Sequence, residues 1–195
     1  MLLYCITDRR GVSDRFDSWL RRVQRAGVDW IQVREKDLPG GALWQLVQGA
    51  YEDGGGKVLI NERVDMAAAA DLDGVHLPSD SVGAARARRI LGERALIGVS
   101  CHGVEDVRRA ASEGADFAVF GPVFDTPSKR RWGTPLGLGE LSNAARAVSI
   151  PVLALGGVSP KNARDCRDAG AAGVAGISMF QGTELERTVE ELHRL

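Results

Sequence analysis

The chain has 195 residues, of which 44% are hydrophobic and 26% charged, an ordinary globular composition that supplies one sizeable core. With 25 Lys and Arg against 26 Asp and Glu, the net charge is −1, so no global field selects nucleic acid or an anionic membrane, and any anion site must be local. No apolar run reaches the length of a membrane span, and Cys5, Cys101 and Cys166 are far apart and odd in number, which reads as buried thiols in a reducing cytoplasm rather than a disulfide framework. The N-terminus shows no basic region followed by a long apolar core, so a cytoplasmic location is expected. His76, His102 and His193 show no metal-ligand spacing.

In chain order, residues 2–6 (LLYCI) form a first apolar strand, and residues 16–26 carry Phe16, Leu20 and Val23 at helical spacing with Gly27 as the stop. A second strand over 29–33 delivers Arg34, Glu35 and Lys36; Pro39-Gly40 then turns into a helix over 42–51, ended by a run of glycines. The third strand, 57–60, delivers Asn61 and Glu62 and is followed by a short helix near 64–70. Strand four is 74–77, with a helix over 82–91; strand five is 95–99, delivering Ser100, with a helix over 104–112. Strand six, 117–120, breaks at Gly121-Pro122 and leads to Thr126, Ser128 and Lys129, two hydroxyls and an ammonium that suit a phosphate. A helix over 141–148, strand seven over 151–155 ending at Gly156-Gly157, and a helix starting at Ser159-Pro160 and running to Ala169 come next. Strand eight, 173–176, ends at Ile177-Ser178, and a helix over 184–193 follows.

Eight short buried strands alternating with helices imply a parallel sheet. The segments RAGVDWIQV, SEGADFAVF and DAGAAGVAG repeat one helix-to-strand wording, which favours equivalent units. Eight units of this length predict a (βα)8 TIM barrel in a single domain spanning 1–195. A doubly wound sheet would want a glycine-rich turn after strand one, where Thr7-Asp8-Arg9-Arg10 stands instead.

A barrel of this type places its site at the C-terminal ends of the strands. Arg34, Lys36, Asn61, Thr126, Ser128 and Lys129 all fall there, a set of cations and hydroxyls that suits a diphosphate, with or without a divalent cation. Gly156-Gly157 and the backbone N–H groups after strand eight suit a second phosphate held by main chain. Two phosphate sites at one mouth imply two phosphorylated partners, or one with phosphates at both ends.

The segments IQVREK, INERVD, GVHL, IGVSCH, VFGPVFDTPSK, IPVLALGGV and GVAGIS occur in order along nearly the whole chain. Together they resemble the thiamine phosphate synthase family and its TenI-like relatives, whose fold is a β/α barrel. The resemblance implies a transferase of thiamine biosynthesis that joins hydroxymethylpyrimidine diphosphate to a thiazole phosphate and releases diphosphate. It implies that Gln32, Arg34, Lys36, Asn61 and Lys129 hold the pyrimidine diphosphate and that Ser100 lies beside the leaving group. Arg34, Ser100 and Lys129 are on this reading the catalytic set. It further implies Thr126 and Ser128 near the thiazole, and Gly157, Ile177 and Ser178 on the thiazole phosphate. The partners are then small phosphorylated molecules, with neither nucleic acid nor membrane, and a homo-oligomer is compatible. The family's magnesium-binding aspartate after strand three is here Glu62, and its second position, aligned without a gap, is Ser81 with Asp80 one residue early, so Mg2+ would fall to Glu62 and Asp80. Pro78-Ser79 resembles the TenI branch, whose members include thiazole tautomerases. That activity needs a base, for which His102, Glu62 and Asp80 are the candidates. A third reading is a phosphate-binding regulator without catalysis.

Overall fold

The structure, a computed structural model, describes residues 1–52, 55–126 and 134–195. Eight parallel strands close into a barrel in chain order: β1 (Leu2–Ile6), β2 (Trp30–Val33), β3 (Lys57–Asn61), β4 (Gly74–Leu77), β5 (Leu96–Cys101), β6 (Phe117–Phe120), β7 (Val152–Ala154) and β8 (Gly173–Gly176). β8 pairs with β1 through Leu2↔Gly173 to Cys5↔Gly176, which seals the ring. Between and after them run α1 (Phe16–Arg25), α2 (Gly40–Glu52), α3 (Val64–Ala69), α4 (Ala84–Leu91), α5 (Val104–Ser112), α6 (Gly137–Arg146), α7 (Ala163–Asp168) and α8 (Leu185–His193). The eightfold strand–helix alternation read from the sequence is therefore the architecture of the molecule.

Period-two alternation sorts each strand into two faces. Outward residues such as Leu3, Ile31, Ile60, Val75, Ile97 and Val174 pack against the helices in the larger core. Inward residues Tyr4, Ile6, Leu59, Phe117, Val119, Leu153 and Ala175 fill the barrel as a separate cluster. Phe117 is the centre of that filling: its ring stands 5.4 Å from Tyr4, edge-on, and 4.7 Å from Trp30. It fits because Gly98 faces it from β5, where a Cβ would lie 2.2 Å from Phe117 Cζ. The lower barrel is thus a solid apolar plug, and polar chemistry is confined to the upper end.

The repeated helix-to-strand wording has a physical basis. Asp29, just before β2, accepts the Leu3 N–H at 2.8 Å through Oδ2. Asp73, before β4, accepts the Val58 N–H at 2.8 Å, and Asp116, before β6, accepts the Ile97 N–H at 2.6 Å. Each aspartate ties the start of one even-numbered strand to the preceding odd one. The fourth such position, before β8, is Ala172, where a backbone bond from Leu2 N–H to Ala172 O at 3.1 Å serves the neighbouring strand instead.

Several element bounds differ from expectation, three of them at the ends of β5, α6 and α7 that face the mouth. β5 runs on to Cys101, so Ser100 lies within the strand rather than beyond it. α6 starts earlier, at Gly137. α7 starts at Ala163, not at Ser159. Residues 159–162 form a turn in which Asn162 Oδ1 accepts the Ser159 N–H at 2.8 Å and its Nδ2 donates to Gly157 O at 3.0 Å.

Candidate active site at the barrel mouth

Inward positions near the C-terminal ends of four consecutive strands carry Gln32 (β2), Asn61 (β3), His76 (β4) and Ser100 (β5). Gln32 Nε2 donates to Asn61 Oδ1 at 3.0 Å, and His76 Nε2 lies 2.8 Å from Ser100 Oγ. Asn61 and His76 are register partners, so the two pairs adjoin and form one polar arc above the aromatic plug. Gln32 and His76 are buried, and Gln32 Oε1 and His76 Nδ1 have no hydrogen-bond partner among the described residues. Buried polar atoms left open at a strand-end arc are acceptors or donors suited to a ligand.

His76 escaped the sequence reading, although the alternation of GVHL puts it on the inward face with Gly74. Burial pushes its imidazole down to about 3, with the Arg34 guanidinium adding to the effect. The histidine is therefore neutral, and Arg34 directs its field at the same arc. Arg34 is anchored by its backbone: its N–H donates to Thr7 Oγ1 at 2.9 Å, while Thr7 Oγ1 donates to Glu35 Oε1 at 2.6 Å. Glu35 is buried and also accepts from the Arg9 N–H at 3.1 Å. This clamp across β1 and β2 was likewise missed, since a threonine and a glutamate 28 positions apart carry no local signal.

The cations divide into two kinds. Arg9 and Arg10 are committed to Asp37, at 2.6 and 2.9 Å, and Arg9 holds the Asp37 carboxylate down at about 2. Among the described residues, no carboxylate lies within ion-pair range of half-buried Arg34 or exposed Lys36. Their charge is available to an anion. Ser128 and Lys129 lie outside the described residues.

On the opposite side of the mouth, the chain after β6 runs beside the end of β7. Val123 N–H donates to Leu155 O at 2.8 Å and Phe124 N–H to Gly156 O at 2.9 Å. Gly157, at φ +64°, packs so closely that a Cβ would lie 2.6 Å from Asp125 O. This contact brings half-buried Thr126 next to Gly157 in space. The backbone after β8 forms a single 3-10 turn over Ser178–Phe180, entered through Ile177, rather than the first turn of a long helix. The Trp19 indole N–H donates to Phe180 O at 3.0 Å and pins that turn to α1.

Glu62 and Asp80 do not fit a protein-only magnesium cage. Among the described residues, no group of three His, Cys, Asp or Glu side chains converges. Glu62, at φ +66°, and Ser81 line one surface groove of about 690 Å³ between α3 and α4, and exposed Asp80 is not among its walls. The cysteines are buried and held as thiols: burial pushes the Cys101 thiol up to about 12 and the Cys166 thiol up to about 11. No helix among the described residues is long and apolar enough to cross a membrane.

The profile of the thiamine monophosphate synthase family matches residues 3–180. The chain is 46% identical over 166 residues to a Geobacter sulfurreducens protein provisionally named thiamine-phosphate synthase, covering 82% of this chain and 77% of that protein. It is 40% identical over 166 residues to a thiamine-phosphate synthase of Roseiflexus sp. (strain RS-1), covering 83% and 70% of the two chains. Among solved structures, a thiamine phosphate pyrophosphorylase from Pyrococcus furiosus superposes with a TM-score of 0.86 at 30% identity, covering 99% of this chain and 94% of its own. With a barrel of the expected topology and a family match across nearly its whole length, the chain belongs to the thiamine monophosphate synthase family.

Proposed function

We propose that the chain is a thiamine-phosphate synthase, a transferase that couples hydroxymethylpyrimidine diphosphate to a thiazole phosphate and releases diphosphate. The observation that carries this reading is the polar arc Gln32–Asn61–His76–Ser100, with the Arg34 guanidinium acting on His76 and no carboxylate in ion-pair range of Arg34 among the described residues, in a chain 40% identical to a thiamine-phosphate synthase.

Arg34 and Lys36, with Lys129, grip the diphosphate and stabilise the charge that builds as the carbon–oxygen bond breaks. The bonding electrons leave with the diphosphate, and the pyrimidine methylene becomes a carbocation. The open Gln32 Oε1 suits a donor on the pyrimidine ring, and Asn61, tied to Gln32, would hold the ring and diphosphate in register. Ser100 donates toward the leaving group. The thiazole phosphate would sit against Gly157, Ile177 and Ser178, with Thr126 and Ser128 beside the ring, so that the thiazole nitrogen captures the cation. Magnesium would arrive as the salt of the diphosphate, and Glu62 is the carboxylate adjoining Asn61 in the chain. The buried, un-ionised thiols suit a cytoplasmic enzyme.

The test is a coupling assay with both substrates, with and without magnesium, following thiamine phosphate. Product sustains the reading; its absence from folded protein sinks it. One observation favours a second reading, a thiazole tautomerase. His102 Nδ1 lies 2.6 Å from the Gly121 carbonyl, to which it donates, and Nε2, with no hydrogen bond among the described residues, is the candidate base beyond β5 and β6. Conversion of the thiazole tautomer without any pyrimidine substrate would select that reading.

A further inference from the structure

His76 has no role in the scheme so far, yet it is the buried residue that touches Ser100. Being neutral, its ring carries one proton, and two arrangements are possible. With the proton on Nδ1, a fully buried donor has no acceptor among the described residues, and Nε2 accepts the Ser100 hydroxyl proton inward, away from the mouth. With the proton on Nε2, the imidazole donates to Ser100 Oγ at 2.8 Å, and the serine proton is released to point elsewhere. The second arrangement leaves only a lone pair open at Nδ1. Buried orphan N–H donors are the rarer defect, whereas under-used acceptors are better tolerated. The buried Tyr4 hydroxyl, whose ring is 5.8 Å away, is not hydrogen-bonded to Nδ1 and so supplies no acceptor for a proton there.

We propose that His76 is a positioning residue for Ser100: its Nε2–H donates to Ser100 Oγ and thereby turns the serine's own proton toward the departing diphosphate. This rests on the synthase reading for its consequence, although not for its geometry. A serine hydroxyl can rotate freely, and one that faces the wrong way gives the leaving group a lone pair instead of a proton. Filling the inward lone pair of Oγ with a fixed donor removes that freedom before substrate arrives. The floor below His76 is rigid, since Phe117 stands 6.0 Å from it and is wedged by Tyr4 and Trp30.

The experiment has two arms on the full chain. In the first, nitrogen-15 NMR of the labelled, ligand-free protein reads the His76 tautomer. A protonated Nε2 with a bare Nδ1 is expected, and a protonated Nδ1 would overturn the proposal whatever the enzyme's activity. In the second, the coupling assay compares His76→Leu, His76→Gln, Ser100→Ala and the double variant His76→Leu/Ser100→Ala. His76→Leu is expected to lower kcat about 10- to 100-fold with KM little changed. His76→Gln, which keeps an N–H able to reach Oγ, recovers most of that loss. The double variant is no slower than Ser100→Ala alone, because His76 then has no hydroxyl to orient. Independent, multiplying losses, or a glutamine variant as slow as the leucine one, would overturn it. If His76→Leu does not fold, the glutamine variant and the NMR tautomer still decide. A wild-type chain that makes no thiamine phosphate defeats the synthase reading, while the tautomer result stands separately.

Discussion

Replacing Thr7 by valine keeps the shape of a fully buried side chain and deletes one oxygen. That oxygen does two things: it accepts the Arg34 N–H at 2.9 Å and donates to Glu35 Oε1 at 2.6 Å. Without it, the partly buried Arg34 N–H loses its acceptor at a cost of about 1–3 kcal/mol, and the Glu35 carboxylate loses a charge-assisted bond worth about 1.5–3 kcal/mol. The Arg9 N–H remains on Glu35 at 3.1 Å and takes up part of the deficit. The net expectation is therefore about 3 kcal/mol of lost stability, which for a chain of this size lowers the thermal midpoint by about 6–12 °C. The functional loss follows from the same bond: Arg34 hangs from Thr7, so its guanidinium loses its fixed position and kcat/KM for the diphosphate substrate falls about tenfold. Urea denaturation with unchanged slope gives the first quantity, and the coupling assay gives the second. Thr7→Ser, which keeps the oxygen, should sit close to wild type in both. A Thr7→Val protein within 0.5 kcal/mol of wild type, by the ordinary scatter of surface changes, would refute the clamp.

His76 makes stability depend on pH. Its imidazole titrates near 6.5 when unfolded but is pushed down to about 3 by burial in the fold, so only the unfolded chain takes up this proton between those values. The contribution is fully present above pH 6.5 and is lost as pH falls toward 3, at up to about 1.4 kcal/mol per pH unit. Denaturation at several pH values should show this slope, and His76→Gln should flatten it by one proton. Gly98→Ala should cost about 1–3 kcal/mol, because the new methyl meets the immobilised Phe117 ring; an unchanged urea midpoint would show that the plug can relax. Glu62→Gly relieves a non-glycine residue at φ +66° and should leave stability unchanged or raise it by up to about 1 kcal/mol. If coupling activity falls in that variant while stability holds, Glu62 is kept for its carboxylate; if activity is untouched, the carboxylate has no part in the reaction.

The barrel was legible because its signals are local. Each strand is a short apolar run, several follow a glycine helix stop, and the aspartates of VDW, LDG and ADF recur at one place in the unit. Arg34, Asn61 and Ser100 could be assigned to the mouth by counting from strand ends, whereas Gln32 came only through the family resemblance. Counting in steps of two along the same strands would also have found His76, since it shares the inward face of β4 with Gly74. Thr7 and Glu35 could not be found this way. Their bond joins two loops, and neither the alternation nor the helical period of either segment marks them. The later start of α7 was hidden too: Ser-Pro is a good helix opening, but residues 159–162 form a turn, with Asn162 Oδ1 on the Ser159 N–H, ahead of the helix.

Gly156-Gly157 shows where a correct local signal supports two causes. A glycine pair after a barrel strand suits a phosphate, because the ligand can reach the main chain. Here the same pair is required without any ligand. A Cβ on Gly156 would lie 2.6 Å from Pro122 Cβ, and one on Gly157 would lie 2.6 Å from the Asp125 carbonyl, which is backbone and cannot swing aside. Gly157 also holds φ +64°, which costs a non-glycine residue about 1–2 kcal/mol before any clash is counted. Gly157→Ala should therefore lose about 2–5 kcal/mol in the absence of substrate, by the sum of backbone strain and overpacking. Were its urea midpoint unchanged, packing would not be the reason for glycine, and close approach of a phosphate would be left as the cause. If the loss is found, weakened thiazole phosphate binding in that variant reports the displaced Asp125–Thr126 segment as much as the phosphate cradle. Ser178, which is exposed and at the head of its own turn, is then the position from which to measure the cradle alone.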